Sequence, residues 1–334
     1  MWVGVIFRVR RRLLSSTPDS AVRSSSLMDW TSRLTRANIA DAHVLSGYPV
    51  SIPAERIKPK STSHNLYRGV AALPINQSVL TSDRSSIEEA LRAVLPQQPT
   101  SVCQAMRYAV LGSGQRLRPL LALRAARILG CDSRKVIRSA AAVEIVHCAS
   151  LIIDDLPCMD NDSVRRNRPS VHVQFGEATA VLAAFALVSL AARSVADQRS
   201  FQTKLLATLD CASLIGGQAL DLELSGECRE SQRRRVTNLK TVPLFQLAVE
   251  AGLAHGSASP AEHERLLEFG RHFGIAYQMA DDFLDREIAD YDAVSGQIEL
   301  ARASLDPLGR AARHAEDLLE YLNAKIWETG RSHR

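Results

Sequence analysis

From Ser85 onward, apolar residues recur at spacings of three and four, the pattern that lines one face of an α-helix. Cys103, Met106, Val110 and Leu111 form one such set, and Val143, Val146, His147 and Leu151 another. The pattern predicts a helix opening at Ser85-Ser86-Ile87-Glu88, where serine and glutamate stand at capping-box spacing. Further helices are predicted from Pro119, from Asp132 or Ser133, and over 175–196, 200–226, 240–256, 261–287 and about 291–328. Period-two alternation is almost absent, so the predicted class is all-α. In the tail, Ile298, Ala301, Leu305, Ala315, Leu318 and Leu322 form a stripe that predicts a packing face and a dimer contact.

Residues 1–82 have a different texture and are predicted to be an extension, with 83–330 the helical domain. The first 28 residues hold Arg8, Arg10, Arg11, Arg12 and Arg23, many serines, and Asp19 as their one acid. That composition fits an organellar transit peptide; the alternatives are a non-structural extension or a start upstream of a true beginning near Met28. Pro49, Pro53, Pro59 and Pro74 predict loop or disorder before the first helix.

Composition narrows the classes. Of 334 residues, 46% are apolar, enough for a large core, and the net charge of +5 is modest. No basic stretch interleaved with aromatics suggests nucleic acid. The six cysteines (103, 131, 148, 158, 211 and 228) show no C-x-x-C pair and are predicted to be reduced core residues of an intracellular protein. The longest apolar run, Ala178 to Ala192, is interrupted by Thr179 and Ser189 and falls short of a membrane span, so no transmembrane segment is expected.

The chemistry concentrates in two acidic clusters, each at the end of an apolar helical run. Asp154-Asp155-Leu156-Pro157-Cys158-Met159-Asp160 is the first; Asp281, Asp282 and Asp285 form the second. Carboxylates repel one another and resist burial, so such clusters call for a compensating cation. Oxygen-only donor sets suit hard divalent ions, Mg²⁺ above all, commonly held by one or two carboxylates plus a phosphate. Pro157 breaks the helix within the first cluster and lets Asp160 swing to the side of Asp154 and Asp155. Asp281 and Asp285 are four apart and share a helix face. Arg165, Arg166 and Arg168 follow the first cluster closely. Acids and then arginines fit a metal–diphosphate site, because guanidinium forks take phosphate oxygens in pairs.

These residues resemble the trans-isoprenyl diphosphate synthases, the polyprenyl synthetase family, from about Ser85 to Asp285. Asp154 to Asp160 match the family's first Asp-rich motif in its longer form, found in geranylgeranyl and bacterial farnesyl enzymes, and Asp281, Asp282 and Asp285 match the second, preceded by Tyr277-Gln278. Gly114-Gln115-Arg116-Leu117-Arg118-Pro119, Glu144-Ile145-Val146-His147, Phe175-Gly176-Glu177, Gly217-Gln218 with Asp221, and Lys240-Thr241 also match. The resemblance implies an isoprenoid synthase-type bundle of mostly antiparallel helices around a deep central cavity, forming a homodimer or a heterodimer with a homologue. It implies short-chain prenyl transfer: isopentenyl diphosphate condensing with an allylic diphosphate. The six aspartates would bind Mg²⁺ on the allylic diphosphate, with Arg165 and Lys240 assisting and Thr241 and Gln278 nearby. Arg118, His147 and Arg166, with Gln115, would hold isopentenyl diphosphate. Ala149 and Ser150, both small, would set a long product unless a neighbour such as Phe185 fills the space.

The chain also departs from the family. Gln115 stands in place of a lysine, Ala184-Phe185 in place of Gly-Asp, and Ile153 in place of a histidine. The G-K-x-x-G-x-D segment that follows the second motif in the family is absent, and Arg286 comes next instead. These losses keep open a non-catalytic regulatory subunit, and a hydrolase or cyclase of the same fold. A cytoplasmic location is expected, with an organellar one as the alternative.

Overall fold

In the computed structural model the described residues are 77–224, 229–284 and 291–331, all within the unit Pro59–Arg334. The order is α1 (Gln77–Val94), α2 (Ser101–Val110), α3 (Leu117–Ile128) and α4 (Ser133–Asp154). A short hairpin of β1 (Val164–Arg165) and β2 (Arg168–Pro169) follows. Next come α5 (Val171–Phe175), α6 (Glu177–Ser194), α7 (Arg199–Thr208), α8 (Leu214–Glu223) and α9 (Glu230–Val236). A π-helical turn (Thr237–Thr241) leads into α10 (Val242–Leu253), then α11 (Pro260–Leu284) and α12 (Tyr291–Leu305). A 3₁₀ turn (Asp306–Ala312) joins α12 to α13 (Arg313–Arg331). The fold is all-α, as predicted.

α3 is buried on nearly every face, its arginines Arg118 and Arg124 included, which makes it the central post of the bundle. α10 and α4 pack on α3, and the alanines of α4 meet buried Ala180, Ala183, Leu187 and Ala191 of α6 in an extensive helix–helix contact. Small residues on both faces let the two axes approach closely. Asp132 caps α4, its carboxylate accepting from the Arg134 N–H at 2.9 Å. Isolated polar residues do not interrupt a helix, so α4 and α6 prove long and apolar enough to cross a membrane, contrary to the sequence expectation. For α4, 67% of that span is buried inside the protein, as expected of a core helix. α6 keeps Leu182 and Phe185 exposed.

Several boundaries differ from prediction. α1 starts at Gln77, so Ser85 and Ser86 lie mid-helix and their hydroxyls donate back to the carbonyls of Thr81 and Ser82 instead of capping. The helix predicted over 200–226 is two, broken at 209–213. The tail is bent at its 3₁₀ turn, where Pro307 lacks an N–H and Gly309 has φ 58°. Its apolar stripe is buried within the chain, with α12 packed on α11 and α13 on α3, and so is not an exposed dimer contact. The thiols of the described cysteines are free. Of these only Cys148 is buried, while Cys158 and Cys211 are exposed, which overturns the core reading for those two; Cys228 lies outside the described residues.

A buried ionic clasp closes the bundle. Arg124 of α3, 1% exposed, donates from Nε and Nη2 to Asp317 of α13 and from Nη1 to Asp83 of α1 at 2.5 Å. Arg127 adds a fork on Asp83 at 2.7 and 2.5 Å. Burial alone would raise the Asp83 carboxyl, yet the Arg127 and Arg124 hydrogen bonds hold it below the ordinary carboxylate value.

Candidate active site

α4 ends at Asp154, and the chain turns under the constraint of Pro157. The Asp160 N–H donates to the Asp154 carbonyl at 2.9 Å, and Asn161 takes a positive φ to complete the turn. Asp160 thereby comes within electrostatic reach of Asp154, as the proline predicted. The Asp154 carboxyl rises to about 6, chiefly through burial; Lys240 opposes that shift and Asp160 adds to it. Asp155 is also buried but answered: Arg165 donates to it from Nε at 2.8 Å and Nη2 at 2.5 Å, and also reaches Asp162 at 2.7 Å. Asp155 and Arg165 are thus engaged with each other rather than turned into open space.

The hairpin reverses through Arg166 and Asn167, both at positive φ. Arginine is an uncommon choice there, and the Ser113 hydroxyl supports it by donating to the Arg166 carbonyl at 3.3 Å. Arg166 lies 3.8 Å from buried Glu144, and Arg168 stacks 3.8 Å from the Tyr108 ring centroid.

Arg116, quoted only as part of a motif, proves to be the anchor of this region. At φ 54° it opens α3 and spends its guanidinium on Glu88 and Glu144 (2.7 Å each) and on the carbonyls of Val110 and Gly112 (2.8 and 3.0 Å). Arg118, two residues on, is buried and has no carboxylate within ion-pair distance among the described residues; its Nη1 donates to His147 Nε2 at 3.2 Å. A guanidinium only donates, so Nε2 accepts and the ring proton sits on Nδ1. Burial, then Arg118 and Arg166, hold His147 well below its ordinary pKa and therefore neutral. Gln115 Oε1 is buried without a hydrogen-bond partner.

The second cluster joins the first through the π-helical turn. Lys240 donates to Asp221 at 2.9 Å and lies 4.0 Å from Asp154. Burial alone would lower the Lys240 pKa, but Asp154 and Asp221 raise it and keep the amine charged. The next residue, Thr241, donates to Gln278 Oε1 at 2.9 Å, and Gln278 Nε2 donates to Asp282 at 2.8 Å. Asp281 acts electrostatically on Arg118. Two adjacent residues therefore connect the acidic end of α4 with that of α11. A π turn shifts helical register by one residue and recurs at functional sites. α8 approaches this turn closely at Gly217, where a Cβ would stand 2.4 Å from the Lys240 nitrogen. Asp285 and Arg286 lie outside the described residues.

Ala149 is buried and Ser150 donates to the His147 carbonyl at 2.9 Å. Phe185 is 71% exposed, so it does not fill the space beside them as the sequence suggested. Asp221 and Phe245 carry no role in the sequence reading, though Asp221 stood among the matching residues. Among the described residues, no three His, Cys, Asp or Glu side chains already converge as a ligand set. The available donors are all carboxylate oxygens, and the largely buried, under-compensated Asp154 beside Asp160 suits a hard divalent ion that completes its shell with phosphate and water.

Residues 99–294 match the family model described as polyprenyl synthetase. The chain is 39% identical over 215 residues to a geranylfarnesyl diphosphate synthase, chloroplastic, of Leucosceptrum canum, covering 60% of this chain and 59% of that one. It is 34% identical to the heterodimeric geranylgeranyl pyrophosphate synthase large subunit 2 of Arabidopsis thaliana, covering 62% and 58%. The chain thus spans less than two thirds of the length of either relative. Among solved structures, an FPP/GFPP synthase of Zymomonas mobilis superposes with a TM-score of 0.69 at 30% identity, over 73% of this chain and 97% of that one. Helical architecture, motif order and matched span agree: this chain belongs to the polyprenyl synthetase family.

Proposed function

We propose that the domain over 83–330 is a short-chain prenyltransferase of geranylgeranyl or farnesyl type, condensing isopentenyl diphosphate with an allylic diphosphate. One observation carries this reading: Lys240 and Thr241, adjacent in the chain, tie Asp154 to Gln278 and Asp282. Asp154, Asp160, Asp281 and Asp282, with Asp285 of the same motif, would hold Mg²⁺, which would neutralise the leaving diphosphate. Asp155 orients Arg165, whose guanidinium shares the allylic diphosphate with the Lys240 ammonium. Thr241 and Gln278, hydrogen-bonded to each other, stand nearby. Arg118, Arg166 and neutral His147 hold isopentenyl diphosphate so that its double bond meets the allylic C1, with Gln115 beside them. The departing diphosphate accepts the proton that the new cation loses. An apolar cavity below Ala149 and Ser150 would exclude water that quenches it.

The ruling experiment is to incubate the protein with Mg²⁺, isopentenyl diphosphate and allylic primers from C5 to C15, and to analyse the dephosphorylated products. A ladder ending at C20 supports the proposal. The second reading, a regulatory subunit, is favoured by Gln115 and by the missing segment after Asp285. It predicts no product from the chain alone and an altered product spectrum from a co-expressed homologue, the arrangement that the name of the Arabidopsis relative describes. The chloroplastic relative and the Arg/Ser-rich first 28 residues are compatible with the organellar alternative to a cytoplasmic location.

Gln115→Lys tests the second substrate site. A hydrogen bond to a charged group contributes about 1.5–3 kcal/mol. Restoring the ammonium is therefore expected to lower the KM for isopentenyl diphosphate about tenfold or more. An unchanged KM would show that position 115 does not touch this substrate.

A further inference from the structure

Arg118 poses a physical problem. Its side chain is buried at the start of α3, and no carboxylate stands within ion-pair distance among the described residues. Its Nε is buried without a hydrogen-bond partner. What meets the guanidinium instead is aromatic: the Phe245 ring, with its centroid 4.4 Å from Cζ, and the Tyr277 ring at 6.0 Å. A cation over a ring face is attracted by the ring quadrupole, most strongly where water is excluded.

The platform is itself rigidly seated. Phe245 is fully buried on α10, meets Phe273 edge-on at 5.6 Å, and contacts Tyr277 at 5.4 Å. Gly274 of α11 leaves the hollow that the ring occupies, since a Cβ there would come within 2.9 Å of its Cδ2.

Resting on the reading of Arg118 as a diphosphate contact, we infer that Phe245, assisted by Tyr277, is a positioning residue that holds the guanidinium through its ring face and leaves the buried Nε–H without an anionic partner, as the donor for phosphate. The alternative device, a carboxylate behind the arginine, would neutralise it and compete with the incoming anion. A ring does neither: it fixes the plane, while hydrogen bonds leave the guanidinium within that plane. His147 completes the arrangement as a neutral acceptor on Nη1, adding no charge to repel or screen the ligand.

The test is calorimetric titration of the whole protein with inorganic diphosphate, without Mg²⁺ so that the aspartates contribute no metal-bridged binding. Arg118→Met is expected to remove the binding at this site, leaving only what Arg165 and Lys240 hold. Phe245→Met preserves bulk but removes the ring face, and is expected to weaken binding about tenfold with a cooperative melt retained. Should that variant fail to fold, Phe245→Leu serves with the same readout. In turnover, the KM for isopentenyl diphosphate is expected to rise about tenfold, with kcat and the KM for the allylic partner within twofold. Loss of core packing alone would not produce that split. Wild-type affinity in Phe245→Met overturns the inference whatever the turnover, as does absence of diphosphate binding to the wild-type protein. Weakened binding in a chain that transfers no prenyl group upholds the platform and sinks the proposed reaction instead.

Discussion

Asp154→Asn is expected to cut prenyl transfer by two or more orders of magnitude while making the metal-free protein more stable. The kinetic half follows from the charge that develops on a departing diphosphate, where loss of one preorganised electrostatic group typically costs 10²–10³ in rate. The stability half follows from burial. The folded Asp154 carboxyl titrates at about 6 against an ordinary 3.8. The folded state therefore holds this proton more tightly than the unfolded chain. The associated stability is fully present below pH 3.8 and is lost as pH rises through 6. At 1.36 kcal/mol per unit, the ionised carboxylate costs the metal-free fold about 3 kcal/mol at neutral pH. Asparagine has the same shape without the charge, so much of that cost disappears and the melting temperature at pH 7 rises by several degrees. The check is a pair of melting series from pH 4 to 7 in chelator. The wild-type and variant curves should diverge as pH rises; parallel curves would mean the carboxylate is not strained, and undiminished turnover would remove Asp154 from the reaction.

Arg116→Met is expected to produce a large loss of stability, about 3–5 kcal/mol. Its guanidinium answers four acceptors, and Glu144, with its side chain 2% exposed, is the one that decides the magnitude. Removing the arginine leaves that carboxylate buried with only Arg166 at 3.8 Å, and strips two buried carbonyls of their donor. A domain with a net stability of 5–15 kcal/mol would lose a large share of it. Urea unfolding of Arg116→Met and Arg116→Lys settles the matter. Lysine keeps the charge but cannot fork, so it should fall between methionine and wild type; a loss under about 1 kcal/mol in both would show the network to be dispensable.

The helical class was legible in the sequence because the three-and-four periodicity is a local signal. So was the turn after α4: Pro157 dictates where the helix must yield, and Asp160 comes back toward Asp154 accordingly. Contacts between distant residues were not legible. Nothing local distinguishes Arg116 from Arg118, yet one is consumed by structural acceptors and the other left open, because Glu88 and Glu144 converge only on the folded chain. Asp221 gains its role where α8 meets the π-helical turn, and Phe245 where α10 packs on α11. The hairpin around Arg166 escaped notice because strands of two residues have no period to detect. Helix α1 begins early for a similar reason: Asp83, upstream of Ser85, is held by partners that lie on α3.

The clasp on Arg124 also bears on how this chain can be divided. Asp83 precedes the matched span 99–294 and Asp317 follows it, whereas Arg124 falls inside. Excising that span as a minimal unit for expression would strand a guanidinium in the centre of the bundle with neither of its anions. The span matched by the family model is thus narrower than the piece whose buried ion pairs are complete.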